Sequence, residues 1–339
     1  MTTADDVRIR TVSGLDPAQD DLFRAWAAVF EASNQHALGD EHSSWGVEEL
    51  RELERSTERR RLGWAAMAGD VVAGAVAVTF PQHDNLTVAE IGLAVHPDHR
   101  RRGLGSRLLE VAEEVARDEG RSVFVAETEW LADSRDVGGE EFASRQGYAA
   151  AQTVLRSALA LPADRDRLEA LLAAPGADGY TTRTFSGGIP EDLLDGRAEL
   201  SRRMSTDIPL GELQLEEEVW DAARVRGTYD RIAAMNRRVV DTFAVEEATG
   251  RLVGFTQVQV GEPADLGYQQ DTLVMREHRG HALGLRLKAA NALALMAELP
   301  DVTRIRTWNA EDNRHMLAVN RELGYAPDAW LREWQKVMP

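Results

Sequence analysis

Two short stretches of this chain have the residue types and spacing to do chemistry. The first is Val95-His96-Pro97-Asp98-His99-Arg100-Arg101-Arg102-Gly103-Leu104-Gly105. The second is Val274-Met275-Arg276-Glu277-His278-Arg279-Gly280-His281-Ala282-Leu283-Gly284. They share a skeleton: Val, four residues, Arg, two residues, a small residue, Leu, Gly. Each follows an apolar strand-like run and opens an apolar helical run. A loop of this kind turns successive backbone N–H groups outward at a helix N-terminus, where the helix dipole adds positive potential. That combination holds a phosphate or pyrophosphate. Its appearance twice predicts a tandem repeat of one α/β unit.

The elements that must position these loops recur in the same order. In the first half the patterning predicts a strand at Val7–Val12, then helical material through Leu53. A hairpin, Leu62–Met67 with Val71–Phe80, turns at Ala68-Gly69-Asp70. Val88–Val95 is the next strand. Gly103–Glu119 is a helix with Leu104, Leu108, Val111, Ala112 and Val115 on one face, and Gly120 ends it. A strand at Ser122–Glu127, a helix at Glu140–Gln146 and closing strands within Tyr148–Leu161 complete the half. The second half runs in parallel, from a strand at Tyr180–Phe185 through helical material at Glu191–Val239, broken at Pro209 and Gly227. A hairpin turning at Ala248-Thr249-Gly250 comes next, then a strand at Tyr268–Val274 and a helix at Leu283–Leu299. The half ends with a strand at Thr303–Trp308, a helix at Glu311–Leu323 and a closing strand at Ala329–Val337. Three segments follow: a domain at 1–161, a partly helical linker at 162–179 and a domain at 180–339.

Composition narrows the function. The chain has 339 residues, enough for two cores of ordinary size. It has no cysteine, which excludes disulfides, thiolate nucleophiles and cysteine metal sites. A formal net charge of −18 argues against nucleic acid or anionic membrane as the main partner and is compatible with a cationic substrate. The beginning of the chain has no secretory pattern, and no apolar run is long enough to cross a bilayer. A cytoplasmic protein is expected, as a monomer or homodimer. His96, His99, His278 and His281 flank the loops without a third ligand at metal spacing, so no metal is expected.

The strand-loop-helix order, with Arg-x-x-Gly-x-Gly after the fourth strand, resembles the GCN5-related N-acetyltransferases. Arg100 to Gly105 fits that motif in full, with Val95-His96-Pro97 as its lead-in. The second loop departs from it at Ala282, where glycine is usual. Asn313-Arg314-His315-Met316, Val319-Asn320 and Leu323-Gly324-Tyr325 resemble the family's later helix, of which the first half keeps Gly147-Tyr148. The resemblance implies two consecutive α/β domains, each a mostly antiparallel mixed sheet splayed between its fourth and fifth strands and flanked by helices. It implies acetyl-CoA as co-substrate. The pyrophosphate would lie on the amides of Arg101, Gly103, Leu104, Gly105 and Ser106, or on Gly280, Ala282 and Gly284. Arg100 and Arg279 either approach phosphate or tie the loop down. The N–H near Val95 or Val274 would polarise the thioester carbonyl. Asn309 and Asn313 are further candidates for the coenzyme arm, with helix capping the simpler role for Asn309.

The implied reaction is direct transfer of acetyl to a primary amine of a small molecule or peptide in a ternary complex. An alkyl amine is almost wholly protonated near neutrality, so a base must remove a proton. Many relatives return a proton from a tyrosine four residues before the late glycine; here that position is Ala143 or Asn320. Counting back from the two valines places Glu90 opposite Gln269 and Gly92 opposite Asp271. Glu90 and Asp271 are thus candidate bases or ammonium anchors, or else carboxylates paired with arginines. Glu127 and Glu129 stand at the mouth of the first half, either attracting an ammonium or merely solvated. The second half, with the fuller late helix and Asp271, is expected to carry the chemistry. The alternative is a non-catalytic acyl-CoA-binding tandem module, a sensor or scaffold.

Overall fold

The computed structural model of the chain describes residues 7–134, 138–207 and 211–338. In chain order its elements are β1 (Val7–Val12), α1 (Asp20–Leu38), α2 (Val47–Glu54), β2 (Arg59–Ala68), β3 (Val71–Pro81), β4 (Val88–Val95), α3 (Leu104–Asp118), β5 (Val123–Leu131), α4 (Gly138–Arg145) and β6 (Ala149–Ala160). They continue with α5 (Arg165–Ala173), β7 (Tyr180–Ser186), α6 (Leu194–Asp207), α7 (Ala222–Ala234), β8 (Arg238–Glu246), β9 (Leu252–Val260), β10 (Leu266–Val274), α8 (Leu283–Glu298), β11 (Arg304–Ala310), α9 (Arg314–Leu323) and β12 (Ala326–Val337). The expected α/β class and repeated order are both present. Gly227, expected to break a helix, lies inside α7, and strand β8 starts at Arg238, within the stretch expected to be helical through Val239. The chain divides into two compact units.

The first unit holds the strand order β1-β2-β3-β4-β5-β12. Neighbours are antiparallel except β4 and β5, which run parallel and pair only through Val88–Val123, Ala89–Phe124 and Glu90–Val125 before they part. One face carries α3, whose Leu104, Leu108, Ala112 and Ala116 pack on Val76, Val78, Phe80 and Phe124. These helix residues recur every four positions, so they form the single apolar stripe that a sheet-covering helix needs. Gly120 ends α3 at φ 73°, a left-handed turn that lets the Arg121 N–H reach the Ala116 carbonyl. The other face carries α1 and α2 through Phe23, Trp26, Val29 and Leu50.

The second unit repeats this plan in the order β7-β8-β9-β10-β11-β6. Strands β10 and β11 are parallel and pair only through Leu266–Arg304, Gly267–Ile305 and Tyr268–Arg306. Helix α8 covers one face with Leu285, Ala289, Ala292 and Leu295. The stretch 162–179, expected as a partly helical linker, contains α5, whose Leu168 is buried in that same cluster. Leu193, Leu200, Phe243 and Phe255 pack on the other face, where α6 lies.

The closing strands differ from expectation. Residues 154–160 of β6, read from sequence as the end of the first half, pair antiparallel with β11 in the second unit. Residues 329–337 of β12, read as the end of the second half, pair antiparallel with β5 in the first unit. Both are long closing segments of similar patterning, and alternation specifies a buried face but not which strand supplies the partner. Trp334 shows what the exchange supplies: it is buried in the α3 core, and its Nε1 donates to Thr128 Oγ1 at 2.9 Å. Lys336 Nζ donates to both carboxylate oxygens of Glu113 on α3 at 2.8 Å. Trp334→Ala is expected to destabilise the first unit by ~3–5 kcal/mol, and deleting residues 329–339 to unfold that unit. Urea denaturation followed by far-UV circular dichroism checks both. An unchanged profile after the deletion would contradict the exchanged pairing.

Candidate active site

In the first unit, parting β4 from β5 opens a cleft of about 610 Å³. Val95, Arg100, Arg101, Gly103, Leu104, Gly105 and Ser106 all border it, together with Leu93, Leu109, Ala126 and Ala143. The loop is shaped by two left-handed residues, Arg101 at φ 64° and Gly103 at φ 80°. Gly103 is the N-cap of α3, and a Cβ built on it would meet nothing within 4 Å. The first turn of α3 has no acidic side chain to neutralise its dipole, in a chain otherwise strongly acidic. Such a helix start attracts an anion.

The backbone of β4 points the same way. The His96 N–H donates to the Ala73 carbonyl on β3 at 3.0 Å. Successive strand amides alternate in direction, so the Val95 N–H turns to the opposite edge, toward the gap. Met275 donates to Val253 at 2.9 Å and leaves Val274 in the same posture in the second unit. Arg100 and Arg279 act mainly as ties. Arg100 Nε donates to the Val95 carbonyl at 3.2 Å and its NH2 to Ser33 Oγ at 3.1 Å. Arg279 Nε donates to the Val274 carbonyl at 3.0 Å, and its guanidinium pairs with Asp207 at 3.3 Å.

Carboxylates gather on the α1 face of β4, β5 and β12. Glu90 pairs with Arg59, the structural role weighed for it from sequence. Glu127 borders the cleft on β5. Its side chain is exposed at the cleft opening but closely surrounded by protein, and its carboxyl is raised to about 7. Loss of water is the largest cause; the charges of Glu333, Glu90 and Glu129 add to it. Glu333 lies directly opposite Glu127 across the β5–β12 pair, and burial raises its carboxyl too. Sequence reasoning noted Glu127 but had no way to weigh its hydration, and it assigned Glu333 to the other half.

The second unit keeps the loop conformation and changes the side chains around it. Its left-handed positions are Gly280 at φ 90° and Ala282 at φ 53°. His281 contacts the Gly176 carbonyl at 3.1 Å and His278 the Tyr180 hydroxyl at 2.9 Å, so these loop histidines hold the segment leading into β7. Gly284 has open space around it. Nine residues after the loop arginine, Leu109 of the first unit is replaced by Lys288; four before the late glycine, Ala143 is replaced by Asn320. Lys288 Nζ donates to Asn320 Oδ1 at 2.6 Å, and Asn320 Nδ2 to Asn309 Oδ1 at 2.6 Å. Asn309 is thus engaged by Asn320, and Asn313, rather than Asn309, caps α9 through the Met316 N–H at 3.2 Å.

A bulge in β10 also corrects the sequence alignment of the carboxylates. Gln269 pairs with Val258 but Thr272 with Thr256, which inserts one residue between them. Strand pairing therefore matches Glu90 with Tyr268, not Gln269, and places Asp271 within the bulge. By the same register Trp308 stands where Glu127 does, and its ring stacks on Tyr268 at 6.4 Å. Asp271 retains exposed surface, yet protein surrounds much of its carboxyl; desolvation raises it, opposed by Arg197 and reinforced by Glu218.

Two stability effects follow. Burial lowers the Lys288 ammonium to about 7 from an ordinary 10.5. Between these values the unfolded chain binds the extra proton, so the second unit gains stability as pH rises from about 7 toward 10.5. Lys288→Met is expected to flatten that slope in denaturation curves taken across the window. Ala282→Gly removes a left-handed alanine that costs about 1–2 kcal/mol, partly offset by the freer unfolded chain. A net gain of about 0.5–1 kcal/mol is expected in urea denaturation, whereas Gly103→Ala is expected to lose about 1–2 kcal/mol.

Among the described residues no group of three or more His, Asp or Glu side chains could hold a metal ion, and no helix is long and apolar enough to cross a membrane. Residues 21–136 match the acetyltransferase (GNAT) family model. The chain is 28% identical over 278 residues to a mycothiol acetyltransferase of Tsukamurella paurometabola, covering 80% of this chain and 86% of that protein. A tandem GNAT protein from the clavulanic acid biosynthesis pathway, solved without AcCoA, superposes with a TM-score of 0.79 at 27% identity, covering 98% of both chains. A GCN5-related N-acetyltransferase from Sphaerobacter thermophilus shares the fold, with a TM-score of 0.66 at 20% identity over 98% of this chain and 96% of that one. A split mixed sheet with a left-handed loop at a helix start, present twice, is thus the arrangement of a tandem GNAT protein, and residues 21–136 match the GNAT acetyltransferase family itself.

Proposed function

We propose that the first unit binds acetyl-CoA in the β4–β5 cleft and transfers its acetyl group to a primary amine of a small molecule or peptide. The observation that carries this reading is the convergence in one cleft of a helix start with no acidic side chain in its first turn, a strand amide at Val95 turned toward the gap, and a carboxylate, Glu127, of raised proton affinity. The diphosphate would rest on the amides from Arg101 to Ser106, and the acyl arm would pass between Leu93, Leu109, Ala126 and Ala143. The amine nitrogen attacks the thioester carbonyl, whose developing negative charge the Val95 N–H receives. The carbon–sulfur bond breaks, the coenzyme leaves as thiolate, and Glu127 takes the proton from the attacking nitrogen. With alanine at position 143 the thiolate gains its proton from solvent in the open cleft. The family match on residues 21–136 and the acetyltransferase name of the 28% identical relative support the same reading.

In this reading one coenzyme binds per chain. The Lys288–Asn320–Asn309 chain occupies positions that line the cleft in the first unit, and an aromatic pair replaces the acceptor-side carboxylates. The second half, expected from sequence to carry the chemistry, is here the supporting copy. Isothermal calorimetry with acetyl-CoA is expected to give a stoichiometry of one, and Gly103→Glu to abolish that binding. Glu127→Gln is expected to lower kcat about 10²–10⁴-fold while coenzyme affinity is retained. The wild-type rate should fall on the acid side of about pH 7. Absence of position 143 tyrosine also suits a non-catalytic coenzyme-binding module. Tight binding with no amine-dependent coenzyme release across alkyl amines, amino sugars and peptides would favour that alternative.

A further inference from the structure

We infer that Glu333, delivered by the last strand of the chain, works with Glu127 as a two-carboxylate receiver for a cationic amine, Glu127 taking the proton while Glu333 keeps the pair negative. This inference rests on the proposed acetyl transfer in the first unit and adds to it a positioning residue and the charge class of the acceptor.

The geometry is that of opposed residues in an antiparallel pair. Glu127 and Glu333 are register partners on β5 and β12, so both side chains rise from the same face of the sheet. Opposed side chains in such a pair stand with Cβ atoms about 4.5–5.5 Å apart, and like charges directly opposite oppose folding. The face they share is the one covered by α1, away from the α3 core that holds Phe124 and Trp334. Glu333 Oε2 is buried and has no hydrogen-bond partner among the described residues. The other charged groups acting on Glu127 are Glu90 on β4, itself held by Arg59 of β2, and Glu129 further along β5. No arginine or lysine is paired with Glu127 or Glu333 among the described residues, so their mutual repulsion is answered by a proton or by a cation from outside.

Each supply has a place in the reaction. An incoming alkylammonium compensates two facing carboxylates better than one, so the charged acceptor is favoured over an uncharged amine. When Glu127 accepts the proton, the carboxylate repulsion is relieved. The remaining charge on Glu333 then holds that proton on Glu127 rather than returning it to the amide product. Glu333 touches neither coenzyme nor reacting atom in this account; it acts through Glu127.

The test compares wild type with Glu333→Gln and Glu333→Asp, using an alkyl amine and an aryl amine uncharged at neutral pH. In Glu333→Gln the acid limb of kcat/KM is expected to move down by about one pH unit, since one like charge has left the neighbourhood of Glu127. The preference for the alkyl over the aryl acceptor should fall about tenfold, and Glu333→Asp should restore both limb and preference. A cooperative urea transition like that of wild type confirms that each variant folds. An unmoved acid limb in folded Glu333→Gln, or an unchanged acceptor preference, would overturn the pairing. Failure of the underlying reading is distinguishable: Glu127→Gln would then turn over at the wild-type rate, or no variant would release coenzyme with any amine.

Discussion

The structure depends on one constraint: two parallel strands at the middle of a mostly antiparallel sheet separate after three residue pairs. Hydrogen-bonding groups on a strand edge need partners, and removing them from the ladder is costly unless water or a ligand supplies replacements. In the first unit the parting of β4 and β5 is held by ordinary packing on both sides. Helix α3 grips one face of the sheet, α1 grips the other, and Arg100 fastens the strand end to α1 through Ser33. The same parting sets the start of α3 at the rim of the gap. A helix start free of acidic side chains in its first turn and an unpaired strand edge are thus two consequences of one divergence.

The second unit shows how different a cleft the same backbone can line. Its strands part after the same number of pairs, and its loop adopts the same two left-handed positions. Lysine for leucine and asparagine for alanine on the helices turn an apolar wall into a hydrogen-bonded chain. Tyrosine and tryptophan stand where the first unit has glutamates. Duplication preserved the energetics of the fold, which reside in cores such as Val258, Leu285, Ala289 and Ile305. The two units differ in a handful of cleft side chains that those cores do not constrain.

The exchanged closing strand β12 ties the cleft of the first unit to the far end of the chain. Trp334 completes the core under the cleft and Lys336 neutralises Glu113 on α3, while Glu333 faces Glu127 on the opposite side of the same strand. Alternation along one strand therefore sends Trp334 and Lys336 to the α3 side and Glu333 to the other.

The sequence by itself determined the repeated element order, the two loops and their bordering residues. These are local features: glycine at a left-handed cap, an apolar stripe every three or four residues, and alternation in strands all act within a few residues of one another. Only the tertiary structure decided which strand closes which sheet, because patterning names a buried face and not its partner. Only it revealed the β10 bulge, one extra residue that shifts Glu90 from Gln269 to Tyr268 and defeats alignment by counting. And only it separated Glu127 from the many other glutamates of an acidic chain. Its proton affinity comes from lost hydration and from a carboxylate more than two hundred residues away, quantities that no local pattern carries.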